Sequence, residues 1–185
     1  MPERVCPWWL GYLLASPIRR LIENPEKIVA PYVKSGMTVL EVGPGMGFFT
    51  LPIARLVGEK GKIVCVDIQN KMLEGLNRRA KRAGLADRIA TRLATSDSLN
   101  ISDFAGQVDS VILIAVVHEV PDQRNLFVQI QQAMKPVALM LISEPKGHVT
   151  PESFEKMLEI TKSLGFSEVS RPVIKGGISV VLKKS

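Results

Sequence analysis

The stretch VLEVGPGMGFFT, residues 39–50, decides how this chain is read. Thr38, Val39, Leu40 and Val42 have strand character and lead, past the acidic Glu41, into three glycines at alternate positions, Gly43, Gly45 and Gly47. Residues 48–57 then carry a helical pattern. A strand that turns into a helix through glycines brings backbone close to a ligand, because glycine lacks a Cβ and accepts positive φ. The spacing is G-x-G-x-G, and Phe48 stands where the dinucleotide fingerprint G-x-G-x-x-G needs its last small residue. That disfavours a nicotinamide or flavin dinucleotide. A second apolar strand, residues 62–66, ends in Asp67, where a doubly wound fold places the acid that holds ribose hydroxyls. A nucleoside without a pyrophosphate satisfies both features, although a three-glycine loop alone is weak evidence.

Working outward, Asn24 and Pro25 open a helix over residues 25–33. Residues 71–83 form an amphipathic helix with Met72, Leu73, Leu76 and Ala80 on one side. A third strand is expected over residues 88–93, and a fourth, nearly all apolar and hence buried on both faces, over 109–116. A helix over 123–134 leads to a fifth strand over 138–142, which runs out into SEPKGH. In the KPVALML segment Val137 and Ala138 imply a turn that avoids positive φ. The next helix, 151–164, has Phe154, Met157, Leu158, Thr161 and Leu164 inward and Gly165 as its carboxyl cap. Residues 169–174, Gly176-Gly177 and residues 178–182 close the chain as strand, turn and strand.

With 185 residues, 46% hydrophobic and 23% charged, the chain is read as one domain, residues 1–185, with an amino-terminal flap over 1–24 and a core over 25–185. The net charge of +6 sits largely on Arg78, Arg79, Lys81, Arg82 and Arg88. A charged helix face is ordinarily solvated, so nucleic acid is not the expected partner. Cys6 and Cys65 form neither a disulfide framework nor a metal spacing, so no metal ligand is assigned and a reducing, cytoplasmic setting is expected. The apolar residues 5–15 are interrupted by Pro7, Trp8 and Trp9, which argues against an export signal. They are read as a flap laid against the domain, with a surface or homodimer contact as the alternative. No apolar stretch reaches the roughly 20 residues of a membrane span.

With VLEVGPGMGFFT, then IVCVDIQNKML, then VDSVILIAVVHEV, residues 25–184 resemble the class I S-adenosylmethionine-dependent methyltransferases, nearest the small-molecule branch that includes the quinone-precursor and arsenic types. The resemblance implies an α/β fold, a Rossmann-like three-layer α/β/α sandwich with a seven-stranded, mostly parallel sheet and an antiparallel last strand. It implies S-adenosylmethionine as cofactor, held by Glu41, Gly43, Gly45, Gly47, Asp67, Ile68, Ser96, Asp97 and Ala115. Glu41 then faces the cationic ammonium or sulfonium side, or accepts from loop backbone. Asp67 grips the ribose. The helix start near Pro52 keeps free N–H groups for the methionine carboxylate. In the loop ATSDSLNI, Thr95 and Ser96 fall at the family's adenine-reading positions and Asp97 one or two places late, so Ser96 and Asp97 are alternatives there.

Methyl transfer from a sulfonium is an in-line displacement that rewards alignment and exclusion of water, and it demands no obligatory base. Only a neutral amine or hydroxyl acceptor has a proton to lose, and His118, at the end of the fourth strand, is the candidate to take it. His148 emerges on the same side. The chain lacks the Asn or Asp-Pro-Pro-aromatic signature of nucleic-acid amino methylation, and VVHEV stands there instead. Two cysteines are too few for arsenite chemistry, and neither falls near strand four or five, where pyrimidine methylation would need one. A nicotinamide-dependent oxidoreductase and a catalytically silent S-adenosylmethionine-binding regulator are the alternatives.

Overall fold

Asn24 opens the first described element by accepting a hydrogen bond from the Lys27 backbone N–H at 3.1 Å, with Pro25 at the first helical position of α1, Pro25–Val29. The computed structural model describes residues 23–185, so the expected flap with Trp8 and Trp9 lies outside the described residues, its last two positions apart. The single helix expected over 25–33 divides, because Pro31 has no N–H to continue the ladder and the chain tightens into a 3-10 turn, Ala30–Tyr32.

Seven strands follow: β1 Thr38–Val42, β2 Lys62–Asp67, β3 Ile89–Leu93, β4 Val108–Ile114, β5 Met134–Pro145, β6 Phe166–Ser170 and β7 Gly177–Lys184. They lie in the order β3-β2-β1-β4-β5-β7-β6. The first five pair in parallel, while β7 runs antiparallel to both β5 and β6, as expected of the last strand. The helices between them are α2 Thr50–Leu56, α3 Asn70–Arg82, α4 Gln123–Ala133 and α5 Pro151–Ser163. Side chains alternate across the central strands, so both faces are buried. Leu40, Val64, Leu113, Phe127 and Phe154 form the core on one face, and Val39, Ile53, Ile63, Cys65, Leu76 and Ile112 the core on the other. This is the three-layer sandwich. No helix among the described residues is long and apolar enough to cross a membrane.

Two expectations about the strands are corrected. β5 begins at Met134, and Val137 takes a positive φ of 59° where its branched side chain argued against it. The pairing explains this: Val108 faces Met134 but Ser110 already faces Leu139, so the extra residues of β5 bulge outward and Val137 turns the chain back. β6 starts at buried Phe166, directly after α5 and Gly165, whereas residues 169–174 were expected to be the strand. Phe166 carries the apolar anchor there, and Pro172 cannot donate to a ladder.

Candidate functional site

The glycines of the first turn play three different parts. Gly43 has φ +71°, its N–H donates to the Val66 carbonyl at 2.9 Å, and an added Cβ would fall 2.6 Å from Val116 Cγ2. Gly47 has φ +87°, and its Cβ would meet Leu76 Cδ1 at 2.5 Å, so it packs the turn against α3. Gly45 has φ +53° with nothing within 4 Å of its would-be Cβ. It borders a cleft of about 310 Å³ beyond the carboxyl ends of β1, β2 and β4, where open α/β sheets take their ligands. A pair of variants separates these parts. Gly43→Ala is expected to cost about 2–4 kcal/mol of stability, from left-handed strain and the clash with Val116. Gly45→Ala is expected to cost only about 1 kcal/mol, while its methyl group fills the cradle and cofactor affinity falls by roughly tenfold or more. Urea unfolding and calorimetry on each variant check this, and equal stability losses would contradict it.

Asp67 closes β2 at the cleft wall, 9% exposed, and its Oδ1 accepts from the Gln69 N–H at 2.9 Å. Burial pushes its carboxyl up to about 6, against the N–H groups of Gln69, Gly45 and Ile68, which pull it down. Beside it Ile68 offers an apolar side chain that is 53% exposed. Across the cleft, Ser96 and Asp97 sit in the loop after β3. That loop is internally braced: Thr95 Oγ1 donates to Asp97 Oδ1 at 2.8 Å, and the Ser98 N–H donates to Thr95 Oγ1 at 3.1 Å. It is also clasped by α4. Gln129 accepts from the Leu99 N–H at 2.8 Å and donates to the Asp97 carbonyl at 3.1 Å, and Asn125 donates to that carbonyl at 2.8 Å. The first turn of α4 holds the other rim, where Gln123 Nε2 donates to the Val117 carbonyl at 3.3 Å. Ala115, on the cleft floor at the end of β4, adopts φ +56°, and its N–H donates to the Ser143 carbonyl at 2.8 Å.

Of the residues singled out in the sequence, Gly43, Gly45, Asp67, Ile68, Ser96, Asp97 and Ala115 therefore line one cleft. Glu41, Gly47 and His118 do not line it. Glu41 points into the protein, 4% exposed, and accepts from Thr50 Oγ1 at 2.6 Å and more distantly from Cys65 Sγ at 3.8 Å. Its partners are these side chains and not the loop backbone. Burial pushes its carboxyl up to about 7, with the Thr50 and Cys65 bonds opposing. A carboxyl whose folded value lies above its unfolded one stabilises below the unfolded value and loses that contribution as pH rises through the folded value. Wild-type stability is thus expected to fall by about 3 kcal/mol from Glu41 between roughly pH 4 and pH 8. Glu41→Gln removes that slope, and parallel urea-midpoint curves for the two proteins would refute the assignment.

His118 lies in the 3-10 turn Val117–Glu119 that follows β4, and this turn is held by Glu144 of β5. The Glu144 carboxylate, 2% exposed, accepts from the N–H groups of Val116 at 3.1 Å, Val117 at 3.0 Å and His118 at 3.2 Å. It also accepts from His118 Nδ1. Sequence reasoning passed over Glu144. The available signal was a carboxylate inside an apolar strand, which burial tolerates only with partners. It likewise missed Arg79, whose guanidinium reaches the Met46 carbonyl and braces the glycine turn, although the basic face was read as solvated.

The cleft suits an adenosyl amino acid on its own terms. Backbone stands bare at Gly45, a buried carboxylate awaits hydroxyl donors at Asp67, and Ile68 supplies an apolar wall. Among the described lining residues are Asp67, Asp97, Glu119 and Asp122 and no Lys, Arg or His, a setting that favours a cation and opposes a pyrophosphate.

Comparison with known proteins agrees. The family described as Methyltransferase domain matches residues 33–175. The ubiquinone/menaquinone biosynthesis C-methyltransferase UbiE of Klebsiella pneumoniae is 26% identical over 112 residues, covering 60% of this chain and 44% of that protein. The chain thus aligns with less than half the length of that relative. A SAM-dependent methyltransferase of Aquifex aeolicus superposes with a TM-score of 0.84 at 23% identity, covering 97% of this chain and 98% of that one. The [4+2]-cyclase SpnF superposes at 0.67 with 20% identity, covering 80% and 58%. At those identities the superpositions establish the fold, and the family match over residues 33–175 establishes the lineage. The chain belongs to the methyltransferase domain family.

Proposed function

We propose that this protein is an S-adenosylmethionine-dependent methyltransferase acting on a small molecule in a cytoplasmic setting. The observation that carries the proposal is the pairing of the open Gly45 cradle with the buried Asp67 carboxylate on one cleft wall, in a chain of this family. When bound, the cofactor supplies an electrophilic methyl group on a sulfonium. The chain's own part is to hold and align. Gly43 and Gly45 present backbone, Asp67 accepts from the ribose hydroxyls, Ile68 packs on the adenine, and the Ser96–Asp97 loop reads its edge. Phe48, Phe49, Val116 and Val120 give the cleft an apolar lining that excludes water.

Proton removal enters only for a neutral amine or hydroxyl acceptor. His118 then takes the proton on Nε2, since its Nδ1–H is committed to Glu144. A carbon acceptor, as the name of the UbiE relative suggests, places less demand on that histidine. The nicotinamide alternative is opposed by Phe48, which is 4% exposed and edge-on to Phe49 with ring centres 5.1 Å apart, filling the space that a dinucleotide site keeps open with a small residue.

Titration calorimetry with S-adenosylmethionine, its demethylated product and NAD tests the proposal. The first two are expected to bind and NAD to give no heat. A chain that binds both sulfur compounds yet passes no labelled methyl group to any of a panel of phenols, quinols and amines is the silent regulator instead.

A further inference from the structure

Thirty residues apart in the chain, His118 and His148 come together because they leave the carboxyl ends of neighbouring strands, β4 and β5. His118 Nε2 and His148 Nδ1 are 3.3 Å apart, and the rings stand at 86° with centres 5.2 Å apart. A direct N–H···N hydrogen bond is ordinarily shorter, about 2.9–3.0 Å. Two imidazole nitrogens bound at about 2.0–2.1 Å to one tetrahedral ion lie about 3.4 Å apart, with ring centres about 5.3 Å apart. Rings meeting head-on across the same nitrogen separation would have centres about 5.6 Å apart. Both distances lie close to those of lone pairs that converge on a common point, while the nitrogen separation also falls within reach of a long hydrogen bond.

The surroundings fit as well. The bond from His118 Nδ1–H to Glu144 fixes the tautomer and leaves the Nε2 lone pair facing His148, the carboxylate–histidine arrangement that supports metal-bound imidazoles. Glu144 is itself held by three backbone N–H groups, so the His118 ring is anchored. His148 is exposed, which leaves a path from solvent. No group of three or more potential ligands is found among the described residues, so solvent would complete the coordination.

We propose that His118 Nε2 and His148 Nδ1 form a two-nitrogen site for a first-row transition ion of imidazole preference, such as Zn²⁺ or Cu²⁺. Neither histidine lines the cofactor cleft, and an ion on His118 Nε2 would take the lone pair that proton removal from an amine or hydroxyl acceptor requires. The test uses the full chain freed of any affinity tag, with zinc chloride titrated calorimetrically and the Cu²⁺ form examined by electron paramagnetic resonance. The wild type is expected to bind one ion at least tenfold more tightly than the His118→Gln/His148→Gln double variant, with hyperfine structure from two imidazole nitrogens. His148→Gln alone changes one exposed side chain, and it is expected to lose at least tenfold in affinity while melting at the wild-type temperature in the absence of ion. Equal zinc affinity in wild type and His148→Gln, or in wild type and the double variant, would overturn the proposal in favour of a plain hydrogen bond between the rings. Binding of S-adenosylmethionine by the same samples reports separately on the cleft.

Discussion

Asp67→Ala is expected to weaken S-adenosylmethionine binding about a hundredfold, with little loss of stability. The carboxylate is 9% exposed and its Oδ1 accepts from the Gln69 N–H at 2.9 Å, and since two carboxylate oxygens offer about four lone-pair sites, acceptor capacity remains for ribose hydroxyls. Hydrogen bonds to a charged acceptor contribute about 1.5–3 kcal/mol each, and a loss of about 3 kcal/mol is a factor of about a hundred in affinity. Asp67→Asn keeps one accepting oxygen and is expected to lie between the two. Affinity should also depend on pH. The carboxyl of the free protein is raised to about 6, and hydroxyl donors favour its charged form, so binding weakens as pH falls below that value, and this dependence is absent from the alanine variant. Calorimetry across that range is the measurement. Unchanged affinity in Asp67→Ala would remove this residue from the site and with it the cradle argument.

Glu144→Ala is expected to produce the largest loss of stability of any single change considered, about 3–5 kcal/mol by urea unfolding. It would leave the N–H groups of Val116, Val117 and His118 without their acceptor inside the protein, and would release the His118 ring. Each buried donor left unpaired costs about 1–3 kcal/mol, and partial entry of water keeps the sum at the lower end. Glu144→Gln preserves one accepting oxygen and should lose roughly half as much. A wild-type urea midpoint in Glu144→Ala would mean that the turn after β4 holds its shape unaided.

The residues that could be read from the sequence are those whose signal is local. The apolar runs of β1 and β2, the glycine spacing and the acid ending β2 are each written within a few positions of one another, and together they locate the cleft. Asn24 and Gly165 mark helix ends in the same way. What escaped depends on partners distant in sequence. Glu144 matters because of N–H groups supplied by another strand's exit, and Gly47 because Leu76 of α3 presses on it. Val137 ran against its own preference because β4 and β5 fall out of step opposite it. Glu41 was misplaced for a related reason: its position beside the glycines suggested the ligand, while the alternation of β1 turns its side chain toward Thr50.

The clasp made by α4 has a consequence for the shape of the cleft. A single helix carries Gln123, which bonds the turn after β4, and Asn125 and Gln129, which bond the loop after β3. The two rims of the cleft therefore rest on one support, and a single helix fixes the distance between them.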